Sequence, residues 1–438
     1  MRAIGLIGFC TVLTGAVACS SSSSSAQAKG TDAGTHPDTG VHAEASADGA
    51  MGGGSEPQRM FVTFTGSTAS ETVVLDMATK AVEGRLSFPG FGITDARNAS
   101  TVFLLEQNTD VVAKLNTSKP WTTDSTWNID LLDAVDGGSQ YSDPVQSVVQ
   151  TGARAYVLRY ERNGIAVVDP SKTVTGGAPS SVVDLASLVQ PGDADGVVDM
   201  VAGAYVASSQ RLYVVLANVN QVDATMYGGV VCGGEVSTVV AIDTTTNAIV
   251  SLGGSGPKGA IALTYYNPVS VVYDAPGNRL IVVSAGCSQK PSGADAGLGA
   301  ASLRGVEAVD LATGKSTSLL ALEASAFPAG FVDLPTSFAY IDSTHAALGF
   351  DQTGQAVYSW DPTSTKLGPL VPNAPDVFTY DGKGHLVGTR IDTSSGGAAS
   401  TAVVSVAFPG GASTTLGTDV TSITGASYVS SVDVWPHP

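Results

Sequence analysis

The sequence predicts an all-β chain closed into a ring, and three observations carry that expectation. A strand, a polar turn and a second strand recur seven times along residues 59–435. The strand type that leads each unit has six members within the body and a seventh at the far C-terminus, where nothing follows it. Charged residues make up only 14% of the chain while Gly contributes 51, a balance that suits strands and tight turns and leaves little for long amphipathic helices.

The recurring unit reads "TVVLDMATKAVEGRL" from Thr72, "VVAKLNTSKPW" from Val111, "IAVVDPSKTV" from Ile165 and "VVAIDTTTNAI" from Val239. It continues as "VEAVDLATGKS" from Val306, "VYSWDPTSTKL" from Val357 and a degenerate "VVSVAFPGGAS" from Val403. Asp ends the first strand at Asp76, Asp169, Asp243, Asp310 and Asp361, and Asn116 and Ala407 replace it in the other two. An Asp at the first turn position accepts a backbone hydrogen bond from two residues on, and Pro follows it twice, as type I turns prefer. These aspartates are therefore read as turn residues, not as an acidic site.

A second strand type precedes each unit: 59–64, 101–106, 154–160, 211–216, 279–284, 346–350 and 385–391. Upstream again lie 91–97, 144–150, 197–206, 268–274, 336–342 and 376–381, while "GASYVSSVDVW" at 425–435 is the member without a successor. The first unit, conversely, begins at its second strand. Closing the ring resolves both facts, because strand 425–435 becomes the innermost strand of the blade whose outer three strands are 59–88. The result is a seven-bladed β-propeller with four antiparallel strands per blade. "RLYVVLANVN…VVAIDTTTNAIVSL" and "NPVSVVYDAPGNRLIVVSAG" resemble the YVTN-type repeats of bacterial surface and periplasmic propellers, most sharply over residues 196–322. Such a resemblance implies fold and leaves function open.

Two segments precede the ring. Arg2, the apolar stretch 3–17 and small residues before Cys19 form an export signal too short to span a bilayer comfortably. "AVAC" followed by a run of serines resembles the lipobox and tether of bacterial lipoproteins, although Ala16 stands where Leu is commoner. The resemblance implies cleavage before Cys19, acylation there, and a lipid-anchored protein of the cell envelope, in the outer membrane if the organism has one. The alternative is an ordinary signal cut after Ala18. Residues 20–56 carry almost no large apolar side chain and read as a disordered tether. The domains are thus 1–18 signal, 19–56 lipidated Cys and tether, and 57–438 propeller.

Once Cys10 leaves and Cys19 is lipidated, Cys232 and Cys287 remain, and an exported chain favours a disulfide between them. The formal net charge of −18 argues against nucleic acid as a partner. Alternation of strand direction sorts the connections between two faces. First-to-second and third-to-fourth turns share one face and are short, as in 274–278, 342–345, 381–384 and 243–247. The opposite face receives the long loops 133–143, 187–196, 218–235, 253–267, 286–303 and 323–333. Ligand chemistry sits on variable loops carried by a rigid scaffold, so the long-loop face is the candidate.

On that face Asn218, Asn220, Asp223 and Tyr227, with Tyr265 and Tyr266 from the next connection, combine aromatic rings with amides and a carboxylate, a set suited to glycan or peptide contact. Plain loop packing is the competing and favoured reading. "GDADGVVD" offers Asp193, Asp195 and Asp199 as oxygen ligands for Ca²⁺, the one cofactor the sequence raises, but it lacks the full order of a calcium loop and a solvated acidic loop is preferred. No Gly-x-Ser-x-Gly elbow occurs, and after the tether only His345, His385 and His437 remain. The four tryptophans, Trp121, Trp127, Trp360 and Trp435, read as blade packing. The expected function is non-enzymatic binding of protein, peptide or glycan. A divalent-metal-dependent hydrolase or lactonase-like propeller and a ligand-free structural envelope protein are the alternatives.

Overall fold

The computed structural model describes residues 58–66, 68–98, 101–118, 121–132, 143–220, 230–232, 235–288, 301–327, 335–350, 356–392, 400–418, 420–421 and 428–436. Cys19, the signal and the tether, together with Asp223 and Tyr227, lie outside them. No helix among the described residues is long and apolar enough to cross a membrane.

Strand pairing builds seven antiparallel blades. Blade 1 comprises Gly92–Asn98, Thr101–Glu106, Val111–Asn116 and Thr122–Asn128, and blade 2 comprises Pro144–Thr151, Arg154–Arg159, Gly164–Val168 and Ser181–Asp184. Blade 3 runs through Met200–Val206, Arg211–Leu216, Thr238–Asp243 and Ala248–Val250. Blade 4 follows with Pro268–Asp274, Arg279–Ser284, Gly305–Asp310 and Lys315–Ala321. Blades 5 and 6 continue the pattern from Pro335–Asp342 and Val377–Tyr380. In blade 7 the C-terminal strand Tyr428–Trp435 pairs with Arg59–Thr65, with Arg59 opposite Trp435, and thereby closes the ring. The closure is the one expected from the unpaired terminal strand.

The turns that mark each unit behave as the aspartates imply. Asp243 Oδ1 accepts the Thr245 hydroxyl and the amides of Thr246 and Thr245, the two amides at 3.0 and 2.8 Å, and these bonds hold its carboxyl down at about 2. The same two-residue bond recurs at Asp76, Asn116, Asp169, Asp310 and Asp361. In four blades the turn ends in a left-handed residue, Lys80, Asn247, Gly314 or Gly411, whose amide reaches back to the carbonyl of the residue that opens the turn. All four tryptophans are buried, Trp121 standing edge-on to both Phe61 and Trp435 across the closure between blades 7 and 1.

Three details depart from the expected plan. The stretch 253–267 is not simply a connection: Ile261–Ala262 returns to pair with Val239 and Thr238, so the outer strand of blade 3 is split by an excursion through 251–260. The fourth strand of blade 5 is reduced to a bridge between Tyr358 and Leu370 with flanking backbone bonds. One long connection, 169–180, lies on the short-loop face, where it runs alongside the outer strand of blade 1 through Thr126–Val174 and Asn128–Gly177 bonds and is consumed by packing. In each case a backbone that would otherwise leave polar groups unpaired finds a neighbouring strand.

The inner strands are also tied to each other by buried polar side chains. Ser431 Oγ accepts the Thr94 amide at 2.9 Å and Asp433 the Ala96 amide at 3.1 Å, joining blades 7 and 1. Asp95 Oδ2 accepts both the amide and the hydroxyl of Ser147, at 2.7 and 2.9 Å, joining blades 1 and 2. Gln146 and Gly203 exchange two bonds between blades 2 and 3. Inner strands of different blades do not share a β-ladder, so side chains supply the bonds that bridge them.

Candidate functional site

The site is built where the chain enters the inner strand of each blade and leaves the second strand of the same blade. At these entries Asp143, Asp199 and Asn267 hold φ of 46, 49 and 51° in blades 2, 3 and 4. The carbonyl of each accepts the amide of the residue just past the second strand: Tyr160, Ala217 and Ala285. Asp and Asn are the residues that tolerate this left-handed backbone, which explains their recurrence. The signal was present in the sequence as Asp143-Pro144, Asp199-Met200 and Asn267-Pro268, one residue before each inner strand.

On this face Cys232 and Cys287 form a disulfide, with Cα atoms 5.0 Å apart. They stand in the second-to-third connections of blades 3 and 4, the equivalent loops expected from the repeat. The bond is reinforced by backbone pairing: Cys232 donates to the Ser288 carbonyl and Ser288 to that of Val230, both at 2.9 Å. Cys287–Ser288 in turn pairs with Ala301–Ser302 as a small ladder. The two connections are thus fastened side by side.

The proposed contact residues divide by burial. Tyr265 is buried, its hydroxyl 2.6 Å from Ser318 Oγ and its amide bonded to Glu307, and burial raises its phenol above the usual range. Gly305 lies against its ring, where an added Cβ would come within 2.4 Å of two ring carbons. Tyr266 is half-buried and fixed by main-chain bonds to Leu303 and Gly286, so of the two rings it is the one nearer the surface. Asn218 is buried. Its Nδ2 donates to the Val236 carbonyl at 2.8 Å and more weakly to Thr238 Oγ1, while Oδ1 meets no donor among the described residues. Asn220 follows it, half-buried.

The acidic loop is fastened to blade 2 by Asn163, which donates to Gly196 O at 2.7 Å and accepts the Val198 amide at 3.0 Å. Asp195 turns back on its own loop, accepting the Val197 amide. Asp193 is lifted to about 7 by burial and by Asp195 beside it. Asp199 is fully buried, and burial with the nearby Asp195 and Glu161 carboxylates raises it well above the usual range. Among the described residues no three His, Cys, Asp or Glu side chains are grouped to hold a metal ion, so Asp193, Asp195 and Asp199 do not make a three-carboxylate cage.

Exposed apolar side chains add what the sequence reading missed. Of five large hydrophobic residues exposed among those described, Leu131, Leu132 and Leu303 are on this face, the first two just beyond the outer strand of blade 1. Adjacent leucines after the last strand of a blade were the available signal.

No protein-family model matches the sequence, and no curated protein matches it. Among solved structures, a candidate 6-phosphogluconolactonase of Bacteroides fragilis is similar at 10% identity and a TM-score of 0.47, with 88% of this chain and 99% of that one covered. The dihydro-heme d1 dehydrogenase NirN follows at 12% identity and 0.46, covering 90% and 78%. The Cps50 (Swd1) β-propeller domain of Myceliophteria thermophila stands at 12% and 0.46, covering 74% and 91%. At such identities and scores these likenesses assign neither activity nor ligand, and the propeller is read from the strand pairing itself.

Proposed function

We propose that this protein is an exported, lipid-anchored propeller that binds a protein, peptide or glycan on its long-loop face without catalysing a reaction. The observation that carries the reading is the Cys232–Cys287 bond, which fixes equivalent connections of neighbouring blades on the face that also exposes Leu131, Leu132 and Leu303. A rigid rim with apolar and aromatic contact points suits recognition, since little ordering entropy is lost on binding. The disulfide also fits an oxidising compartment, as export through the N-terminal signal would provide. Anchoring rests on the lipobox-like sequence around Cys19.

Binding is tested with the purified protein on a glycan array and on immobilised cell-wall sacculi, comparing wild type with a Leu131→Asp, Leu303→Asp, Tyr266→Ala variant of unchanged Tm. The variant is expected to lose the wild type's signal; undiminished binding by it rules out this face. Anchoring is tested by Cys19→Ser, which should move the protein from the membrane to the soluble fraction.

A further inference from the structure

Two deeply buried oxygens on blade 3 meet no hydrogen-bond donor among the described residues: Asp199 Oδ1 and Asn218 Oδ1. Both residues are almost entirely out of solvent, Asp199 at 0% and Asn218 at 4% exposure. They are immediate neighbours, because the Asn218 amide donates to the Val198 carbonyl at 3.3 Å and the next amide, that of Val219, donates to Asp199 Oδ2 at 2.6 Å. Asn218 cannot turn its amide to relieve the deficit. Its nitrogen is already committed to the Val236 carbonyl, and Val236 is clamped from its other side by a reciprocal pair of bonds to Gln190.

The surroundings sharpen the deficit. Asp193, which also carries a buried oxygen without a donor, lies on the same loop with Asp195, and Glu161 adds a further carboxylate. Glu235 is buried against Gly192. Among the described residues no ion pair joins Asp193 or Asp199 to a Lys or Arg. A buried carboxylate without a counter-charge is among the costliest arrangements a fold can hold. A water molecule could donate to two acceptors but would leave the negative charge uncompensated.

We propose that the junction of Asp199 and Asn218 binds one hard, oxygen-seeking cation of the calcium class, with Asp199 Oδ1 and Asn218 Oδ1 as direct ligands. Asp193, Asp195 and Glu161 supply negative potential around it without completing a carboxylate cage, and water and backbone oxygens fill the remaining positions that such an ion requires. The donor set is oxygen only, which disfavours zinc and copper. A site here would fix the entry to the inner strand of blade 3 against the connection that leads to Cys232. The inference is independent of what the long-loop face binds.

The test uses the full-length protein stripped with EGTA and titrated with CaCl₂ alone, by calorimetry and by thermal melting. One ion per chain and a rise in Tm of a few degrees, reversed by EGTA, are expected. Asp199→Asn keeps an oxygen for the Val219 amide, removes the buried charge and should abolish the calcium response. Asn218→Gly, compatible with the φ of 50° at that position, should weaken calcium at least tenfold. Wild-type protein that binds no calcium at 1 mM overturns the proposal, whether or not either variant folds. So does a calcium response that survives intact in both variants. A wild type indifferent to calcium and stabilised only as pH falls towards 5 would also overturn it, placing a proton, not a metal, on Asp199.

Discussion

Replacing Asp95 probes the bond between blades 1 and 2 most directly. Its carboxylate is fully buried and accepts two bonds from Ser147, itself 1% exposed, so no solvent can take the place of either partner. Bonds to a charged acceptor contribute about 1.5–3 kcal/mol each, hence about 3–6 kcal/mol gross, from which the relieved burial of the charge must be subtracted. Asp95→Ala is therefore expected to cost about 3 kcal/mol. With an unfolding entropy of about 2.1 cal/mol/K per residue over about 380 residues, that corresponds to a Tm lower by roughly 4 °C. Ser147→Ala removes only the hydroxyl bond, and the double variant should reveal a coupling of about 1–2 kcal/mol in urea unfolding at pH 7. A coupling indistinguishable from zero would refute the idea that this pair of side chains joins the inner strands of the two blades.

Three further outcomes are expected. Substituting both Cys232 and Cys287 by Ala opens a loop of 55-residue separation, for which chain entropy gives a loss of about 4 kcal/mol; a Tm within 1 °C of wild type would show that the rim is held by its backbone pairing instead. Asp243 is depressed to about 2 in the fold from an ordinary 3.8, so its contribution is complete above about pH 4 and is lost as pH falls towards 2. Asp76, Asp169, Asp310 and Asp361 are shifted the same way, and a Tm profile that stays flat from pH 4 to 2 would contradict the turn role assigned to all five. Gly305→Ala drives a Cβ into the Tyr265 ring and should destabilise by about 1–3 kcal/mol, measured by thermal melting; a neutral result would mean that Tyr265 is free to move.

Much of the architecture was legible because a propeller repeats its local grammar. Period-two apolar runs specify strands, Asp at the strand end specifies the turn, and an orphan strand at the C-terminus specifies ring closure through its pairing with Arg59–Thr65. The relation between Cys232 and Cys287 could be read from their equivalent places in successive units. The split outer strand of blade 3 and the packing of 169–180 on blade 1 could not, since each depends on which strand edge happens to lie open beside a loop.

The candidate site was legible as a face and not as a set of side chains. Asn218, Asp199 and Tyr265 look alike in sequence to solvated loop residues, yet all three are buried, Tyr265 with its hydroxyl taken by Ser318 and the other two each with an oxygen left over. By itself the sequence determined the blade count, the closure and the face that carries the long loops, because these follow from local periodicity and the alternation of strand direction. Only the tertiary structure decided which polar atoms are buried and which of those find a donor. That outcome depends on groups far apart in the chain, as Asp95 and Ser147 are, and no local pattern records it.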